Sequence, residues 1–228
     1  HEGKVALAKE YGVTFGTAKH WLSDSGSVQK PELKGSMNVD ELLSGRPAVN
    51  LDFVTFDIET SNLHADFSII LSAVIKPFGL APIVFRADSY PQWLTNRADD
   101  KPITMDIVNE LKKHAITITH YGQRFDIPFL RFKMVKYGLE PLPPMFGIDT
   151  WRIAKNNFAV TSRRLQNLVN CFDLGDKHGV DGKLWMAAAY EGDPKAMDEI
   201  VAHNIVDCEI LEKLGCLTFP LTKSIPRL

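Results

Sequence analysis

The chain has 228 residues, of which 45% are hydrophobic and 24% are charged, and its formal net charge is −2. This length and composition are typical of one large domain with a small appendage, and no apolar run approaches the roughly 20 residues that a membrane-spanning helix needs. The slightly negative charge excludes a protein that binds nucleic acid through overall basicity, so such a role would need a local basic patch or bound cations.

The first 50 residues differ in texture from the rest. Residues 1–26 contain two short stretches of helical spacing around a Gly-containing turn, with Thr14 as a candidate N-cap, and they predict a small helix-turn-helix-like helical arm. The arm is nearly balanced in charge, so DNA contact and a packing or oligomer contact both stay open. Residues 27–50 are rich in Ser, Gly, Pro and charge, which predicts a linker.

Residues 51–228 are predicted to form an α/β domain. Strands are expected at 51–58, 67–78 and 81–88, with a hairpin turn at Lys76–Gly79 between the last two. A helix at 105–114, a strand at 115–121, a helix at 125–138 and a strand at 145–150 follow, and then helices near 163–171, 183–191 and 194–214. This order predicts a mixed central β-sheet flanked by helices.

Two carboxylates end the first strand of this domain. Asp57 and Glu59 follow the apolar run "FVTF", and because strand side chains alternate, both point to the same face. Two such charges repel each other, and a divalent cation of the Mg²⁺ or Mn²⁺ type relieves that repulsion. The alternative is a solvated strand exit.

Other acidic residues could join this pair. Asp126 lies where a strand leads into a helix, Asp149 ends a strand, and His203 and Asp207 share one helical face at i, i+4 spacing. Each has an ordinary alternative: a helix cap for Asp126, a turn residue for Asp149, and a surface hydrogen-bonded pair for His203 and Asp207. The conjunction of all of them favours a metal site.

Three segments carry a family resemblance. "FDIET" with "SNL", "HYGQRFDIPFL" and "HNIVDCEIL" resemble the three motifs of the DEDD 3′–5′ exonucleases, which have the ribonuclease H-like fold. The resemblance runs from about residue 51 to 217, and residues 181–211 resemble the predicted exonucleases related to family B polymerase proofreading domains. In the second motif, Gln123 stands one step nearer to the aspartate than the family's asparagine.

The third motif departs from the family at one position. The tyrosine subclass has tyrosine four residues before the last aspartate and the histidine subclass has histidine five before, whereas here His203 stands four before Asp207. Because the i, i+4 spacing keeps His203 beside Asp207, we expect His203 to position or deprotonate the attacking water, as the tyrosine does. A weakened or altered activity is the alternative.

The resemblance implies a catalytic site and its cofactors. Asp57, Glu59, Asp126 and Asp207 would hold two Mg²⁺ or Mn²⁺ ions roughly 3.5–4 Å apart, and the bound cations would let an acidic site accept a polyanion. Thr60 and Leu63 would line the terminal nucleotide.

Local basic runs could guide the rest of the strand. These are "RFKMVK", with Arg131, Lys133 and Lys136, and "SRR", with Arg163 and Arg164. Ordinary solvated helix faces are the alternative for each run, and Phe125 and Trp185 are expected in the core.

The expected activity is metal-dependent 3′–5′ exonucleolytic hydrolysis of single-stranded or 3′-terminal nucleic acid, with DNA favoured. An exoribonuclease and a catalytically inactive nucleic-acid-binding module of the same fold are the alternatives. The three cysteines form no CxxC pair, which indicates a reducing compartment, so we expect the cytoplasm or the nucleoid, with a polymerase partner undetermined.

Overall fold

The computed structural model describes residues 52–175 and 179–228. The predicted helical arm at 1–26 and the linker at 27–50 lie outside the described residues, so this division of the chain stays a prediction. No helix within the described ranges combines the length and the apolar character that crossing a membrane requires.

Within the described residues, five strands form one mixed sheet in the order β3-β2-β1-β4-β5. They are β1 (Phe53–Thr60), β2 (Ile70–Pro77), β3 (Ile83–Arg86), β4 (Ile116–Thr119) and β5 (Phe146–Asp149). Strand β2 runs antiparallel to β1 and β3, whereas β1, β4 and β5 run parallel. The predicted mixed central sheet is confirmed.

Helices flank this sheet. They are α1 (Gln92–Thr95), α2 (Lys101–Leu111), α3 (Asp126–Tyr137), α4 (Thr150–Asn157), α5 (Leu165–Phe172), α6 (Lys183–Met186) and α7 (Pro194–Thr218). Short 3₁₀ turns lie at Ala87–Ser89 and Phe219–Leu221, and α6 continues into a π-helical turn at Ala187–Glu191.

Most element boundaries differ from the prediction by a few residues, and two helices, α1 and α4, were not predicted. Helix α2 begins four residues earlier than expected, because Pro102 is well suited to a first helical turn. Helix α4 was absent from the prediction: the expected strand at 145–150 ends at Asp149, whose side chain caps a new helix that starts at Thr150.

Strand β1 lies in the core, and its side chains point alternately to the two faces of the sheet. Val54, Phe56 and Ile58 are buried in the main apolar cluster. The alternate residues lie against α7, where the Thr55 hydroxyl donates a hydrogen bond to the Cys208 carbonyl at 3.1 Å. Asp57 and Glu59 continue that row toward the carboxyl end of the strand. The fold therefore presents both acids to α7.

Candidate active site

Helix α7 provides the residues that face Glu59. His203 Nε2 lies 3.7 Å from Asp207 Oδ2, one helical turn away, and 4.0 Å from Glu59 Oε1 on β1. One ligand atom from each of Glu59, His203 and Asp207 lies within 4.8 Å of the other two. Two carboxylates and an imidazole at this separation are a donor set that can hold a divalent metal ion.

Asp57 is oriented by a residue that the sequence did not single out. Asn204 Nδ2 donates a hydrogen bond to Asp57 Oδ2 at 2.7 Å, and Ser72 Oγ on β2 donates to Asn204 Oδ1 at 2.9 Å. Asn204 is fully buried. The sequence signal for this role was its position beside His203 and three residues before Asp207, on the same helical face.

Asp126 is the first residue of α3 and is only 3% exposed. Its Oδ1 accepts a hydrogen bond from the Ile58 amide at 3.0 Å, which fastens it to β1 between Asp57 and Glu59. Burial, with a smaller contribution from the charge of Asp149, raises the pKa of Asp126 to about 7 against the opposing effect of backbone hydrogen bonds. A bound cation would compensate for the cost of ionising this carboxylate.

The buried thiol of Cys208 shows that these acids share one region. Burial raises the pKa of Cys208, and the negative charges of Asp57, Asp207 and Asp126 raise it further. The structure thus brings Glu59, His203 and Asp207 into direct ligand range, and it holds Asp57 and Asp126 beside them through Asn204 and the Ile58 amide.

Trp185 on α6 is a second residue of the site that sequence reasoning missed. Its side chain packs partly into the main core, as expected, but its Nε1 also donates a hydrogen bond to Glu59 Oε2 at 2.8 Å. The ring meets the His203 imidazole edge to face, with centroids 6.1 Å apart. Nothing in the sequence pattern around Trp185 indicated a partner 126 residues away.

Asp149, the further acidic candidate, has a structural role. Its carboxylate accepts hydrogen bonds of 3.0–3.2 Å from the backbone amides of Tyr121, Gln123, Trp151 and Arg152. It therefore caps α4 and fastens the loop after β4 to that cap. These contacts fit a structural role for Asp149 and do not support Asp149 as a metal ligand.

The expected substrate residues are divided between surface and interior. Leu63 is 74% exposed beyond the end of β1, whereas Thr60 is 7% exposed and its hydroxyl donates a hydrogen bond to the Asn62 carbonyl at 2.8 Å. Thr60 thus shapes the turn that carries Leu63. This arrangement leaves the Leu63 side chain available to contact a ligand.

The basic runs also differ in placement. Arg131 and Arg164 are exposed, and Arg163 is half-buried, with its carbonyl accepting a hydrogen bond from His120 Nε2 at 2.9 Å. Lys133 is fully buried, so the expectation that the whole "RFKMVK" run faces a strand is wrong for this residue. Arg131 and Lys136 lie on the exposed face of α3, whereas Lys133 lies on its buried face.

Comparisons with known proteins agree with this geometry. The family model described as RNase_H superfamily matches residues 54–217, a span that contains all of the acids and His203. The DNA polymerase III PolC-type of Ureaplasma parvum serovar 3 is 31% identical over 143 residues, which cover 55% of this chain and 10% of that protein. This chain thus matches about one tenth of the length of that relative.

A solved structure shares the fold. The family B DNA polymerase from the hyperthermophilic archaeon Pyrobaculum calidifontis matches with a TM-score of 0.62 at 16% identity, over 75% of this chain and 25% of that chain. These matches fit the ribonuclease H-like 3′–5′ exonucleases that the three motifs resemble. The chain, through residues 54–217, belongs to the RNase_H superfamily, a family of nucleases.

Proposed function

We propose that residues 51–228 form a metal-dependent 3′–5′ exonuclease domain that hydrolyses phosphodiester bonds at the 3′ end of nucleic acid, with DNA favoured. The observation that carries the proposal is the convergence of Glu59, Asp207 and His203 within 4.8 Å, with Asp57 and Asp126 fastened beside them. Membership of a nuclease family and the three motifs support the same chemistry.

The donor set suits hard divalent cations. Asp57, Glu59, Asp126 and Asp207 offer carboxylate oxygens, the ligands that Mg²⁺ and Mn²⁺ prefer, and they would hold the two ions between β1, α3 and α7. When bound, such ions supply Lewis-acid stabilisation of the charge that develops on the phosphate and acidify a water molecule. They also offset the repulsion between the acidic site and a polyanionic strand.

The protein's own groups orient these ligands and handle the proton. Asn204 fixes one oxygen of Asp57, and Trp185 fixes one oxygen of Glu59. His203 Nε2 lies near both Glu59 and Asp207, where it would accept a proton from the attacking water. Histidine exchanges protons near neutral pH, which suits it to this general-base role.

The preference for DNA rests on two supports. The curated relative is a DNA polymerase, and residues 1–26 have a helix-turn-helix-like pattern. Leu63, Arg131, Arg163 and Arg164 are the proposed contacts to the strand, and Thr60 positions Leu63. A reducing compartment such as the cytoplasm or nucleoid is part of the same proposal.

The test is a cleavage assay on 5′-labelled single-stranded DNA and RNA of one sequence, with Mg²⁺, Mn²⁺ or EDTA. We expect a metal-dependent ladder that shortens from the 3′ end, and no cleavage by Asp57→Asn, because that change removes a ligand charge. His203→Ala should lose about 100-fold in rate, the scale of a general base. Glu199→Gln, an exposed change on the same helix, should cleave normally.

Two results would contradict the proposal. Metal-dependent cutting of a circular single strand would show endonucleolytic cleavage, because such a strand has no 3′ end. Binding without cleavage of either strand under every metal condition would favour the inactive nucleic-acid-binding module. Cleavage confined to RNA would keep the chemistry and replace DNA as the substrate.

A further inference from the structure

Two aromatic side chains lie together at the carboxyl end of the parallel strands. Tyr121 lies in the loop after β4, Trp151 lies in the first turn of α4, and their ring centroids are 4.9 Å apart in an edge-to-face arrangement. Tyr121 is 40% exposed, and Trp151 is half-buried. We call these two residues the Tyr121–Trp151 pair.

The backbone at Tyr121 has an unfavourable conformation. Its φ is +69°, a left-handed value that glycine and asparagine adopt readily and that bulky residues rarely adopt. Its carbonyl accepts hydrogen bonds from the amides of Arg124 and Phe125 at 2.9 and 3.1 Å. The next residue, Gly122, lies so close to Thr119 that an added Cβ would be 2.4 Å from the Thr119 Cβ. The turn therefore imposes this conformation on Tyr121, and strain of this kind is concentrated at functional positions.

One carboxylate oxygen brings the two rings together. Asp149 Oδ1 accepts hydrogen bonds from the amides of Tyr121 and Trp151, each at 3.0 Å. The loop after β4 and the first turn of α4 are thus joined at a single atom. The position of each ring follows from this junction as well as from the contact between the rings.

The Tyr121–Trp151 pair is also connected to the proposed catalytic site through the loop before α3. The turn that holds Tyr121 leads directly into α3, whose first residue is Asp126, and the Gly122 carbonyl accepts a hydrogen bond from the Ile127 amide at 2.9 Å. Strands β4 and β5 run parallel to β1, so their carboxyl ends lie at the same edge of the sheet as the carboxyl end of β1, which carries Asp57 and Glu59. A strand whose 3′ end reached the acids could pass over this edge.

Basic side chains accompany the rings. Lys155 Nζ lies 5.5 Å from the centre of the Trp151 ring, and the Arg152 guanidinium is 3.4 Å from Gln123 Oε1 in the same loop. Both residues are exposed, and neither forms an ion pair with a carboxylate among the residues that the structure describes. Accessible aromatic rings beside cations that have no carboxylate partner among the described residues are a combination with which proteins bind single-stranded nucleic acid without sequence preference.

We propose that the Tyr121–Trp151 pair is a stacking surface for a nucleobase of the single strand that leads into the catalytic site, with Lys155 and Arg152 contacting its phosphates. The inference rests on the proposed function for the identity of the ligand. Packing alone does not account for Tyr121, because asparagine would suit the backbone better and Tyr121 is 40% exposed to solvent.

The test compares Tyr121→Asn, which removes the ring and suits the left-handed backbone, with Tyr121→Phe, which keeps the ring. Binding is measured by fluorescence anisotropy of labelled 12-nucleotide oligothymidine, oligouridine and an abasic 12-mer, with Ca²⁺ replacing Mg²⁺ and intactness checked on gels. Tyr121→Asn should weaken binding of at least one base-bearing oligomer about tenfold, the scale of one stacked base, and Tyr121→Phe should stay within twofold of the unaltered chain. All variants should bind the abasic oligomer equally.

The oligomer whose affinity falls in Tyr121→Asn, oligothymidine or oligouridine, identifies the bound strand as DNA or RNA. Melting curves check that Tyr121→Asn is folded, and Tyr121→Gly, which also suits a positive φ, replaces it if it is not. Unchanged affinity of the ring-less variant, or an equal loss on the abasic oligomer, would overturn the stacking surface.

The same experiment separates the two proposals. If the unaltered chain cleaves from the 3′ end and Tyr121→Asn binds and cleaves equally well, only the stacking surface is wrong. If the unaltered chain neither cleaves nor binds any oligomer, the proposed function fails and the stacking surface fails with it.

Discussion

At the scale of single residues, the Glu59 carboxylate shows how the candidate site is organised. Oε2 accepts the indole hydrogen bond of Trp185, while Oε1 faces His203 Nε2 at 4.0 Å. The two oxygens therefore have different neighbours, and the rotation of the carboxylate is restricted before any ligand binds. Partners of this kind orient metal ligands and tune their affinity.

Replacing Trp185 by Phe should weaken Mn²⁺ binding about tenfold, because outer partners of metal ligands typically contribute 10- to 100-fold in affinity. Phenylalanine keeps most of the buried ring area and removes the N–H donor, so the fold should persist. Isothermal titration with Mn²⁺ measures the effect without any cleavage. Trp93→Phe is the matched control, since Trp93 is buried on α1 and should leave affinity unchanged. Unaltered Mn²⁺ affinity in Trp185→Phe would show that the indole does not orient a ligand.

The acids were largely predictable at this scale, and their partners were not. The spacing of Asp57 with Glu59, and of His203 with Asp207, is a local property of a strand and a helix. Asn204 and Trp185 reach their partners across 147 and 126 residues of sequence. The helix and strand periodicities of the sequence do not indicate contacts between residues so far apart.

At the scale of secondary-structure elements, the junction at Asp149 links β5, α4 and the loop after β4. The carboxylate caps α4 through the amides of Trp151 and Arg152 and holds the loop through the amides of Tyr121 and Gln123. An acid at a strand end is compatible with a ligand, a turn residue or a helix cap. Only the arrangement of the neighbouring amides distinguishes these roles.

Asp149→Ala should lower the free energy of unfolding by about 2 kcal/mol, because buried amides lose a charged acceptor and α4 loses its cap. Urea denaturation followed by circular dichroism measures this change. Asp193→Ala removes the side-chain cap of α7. The Asp193 carboxylate receives hydrogen bonds from the Lys195 and Ala196 amides, so its loss should cost about 1 kcal/mol. An Asp149→Ala loss no larger than that of Asp193→Ala would contradict a role in joining the loop to the helix.

At the scale of the whole molecule, a buried ion pair joins α3 and the residue before α2 to the start of β2. Lys133 Nζ on α3 lies 2.8 Å from Asp100 Oδ2 before α2, and both side chains are almost completely buried. Lys133 also donates a hydrogen bond to the Ser68 carbonyl, and the Ile70 amide donates to Asp100 Oδ2 at 3.0 Å. Burial lowers the pKa of Lys133, whereas the Asp100 carboxylate raises it.

Asp100→Ala should destabilise the domain by about 3 kcal/mol, since removing one partner leaves the Lys133 ammonium buried without its counter-charge. The double change Asp100→Leu with Lys133→Met should recover most of that loss, because apolar residues can replace a buried ion pair at little cost. Urea denaturation of both variants against the unaltered chain provides the comparison. A double variant as unstable as Asp100→Ala would mean that the lost hydrogen bonds to the Ile70 amide and the Ser68 carbonyl, and not the unpaired charge, cause the loss.

The sequence by itself determined the fold class, the course of most elements and the set of acids on β1, α3 and α7. These follow from strand alternation, helical spacing and three motifs, all of which depend on residues a few positions apart. The tertiary structure decided that Asp149 is a cap, that Lys133 is buried, and that Trp185 and Asn204 orient the acids. It also brought Tyr121 beside Trp151. These outcomes depend on packing between elements that are far apart in the chain, and a local pattern carries no information about which distant side chain will meet it.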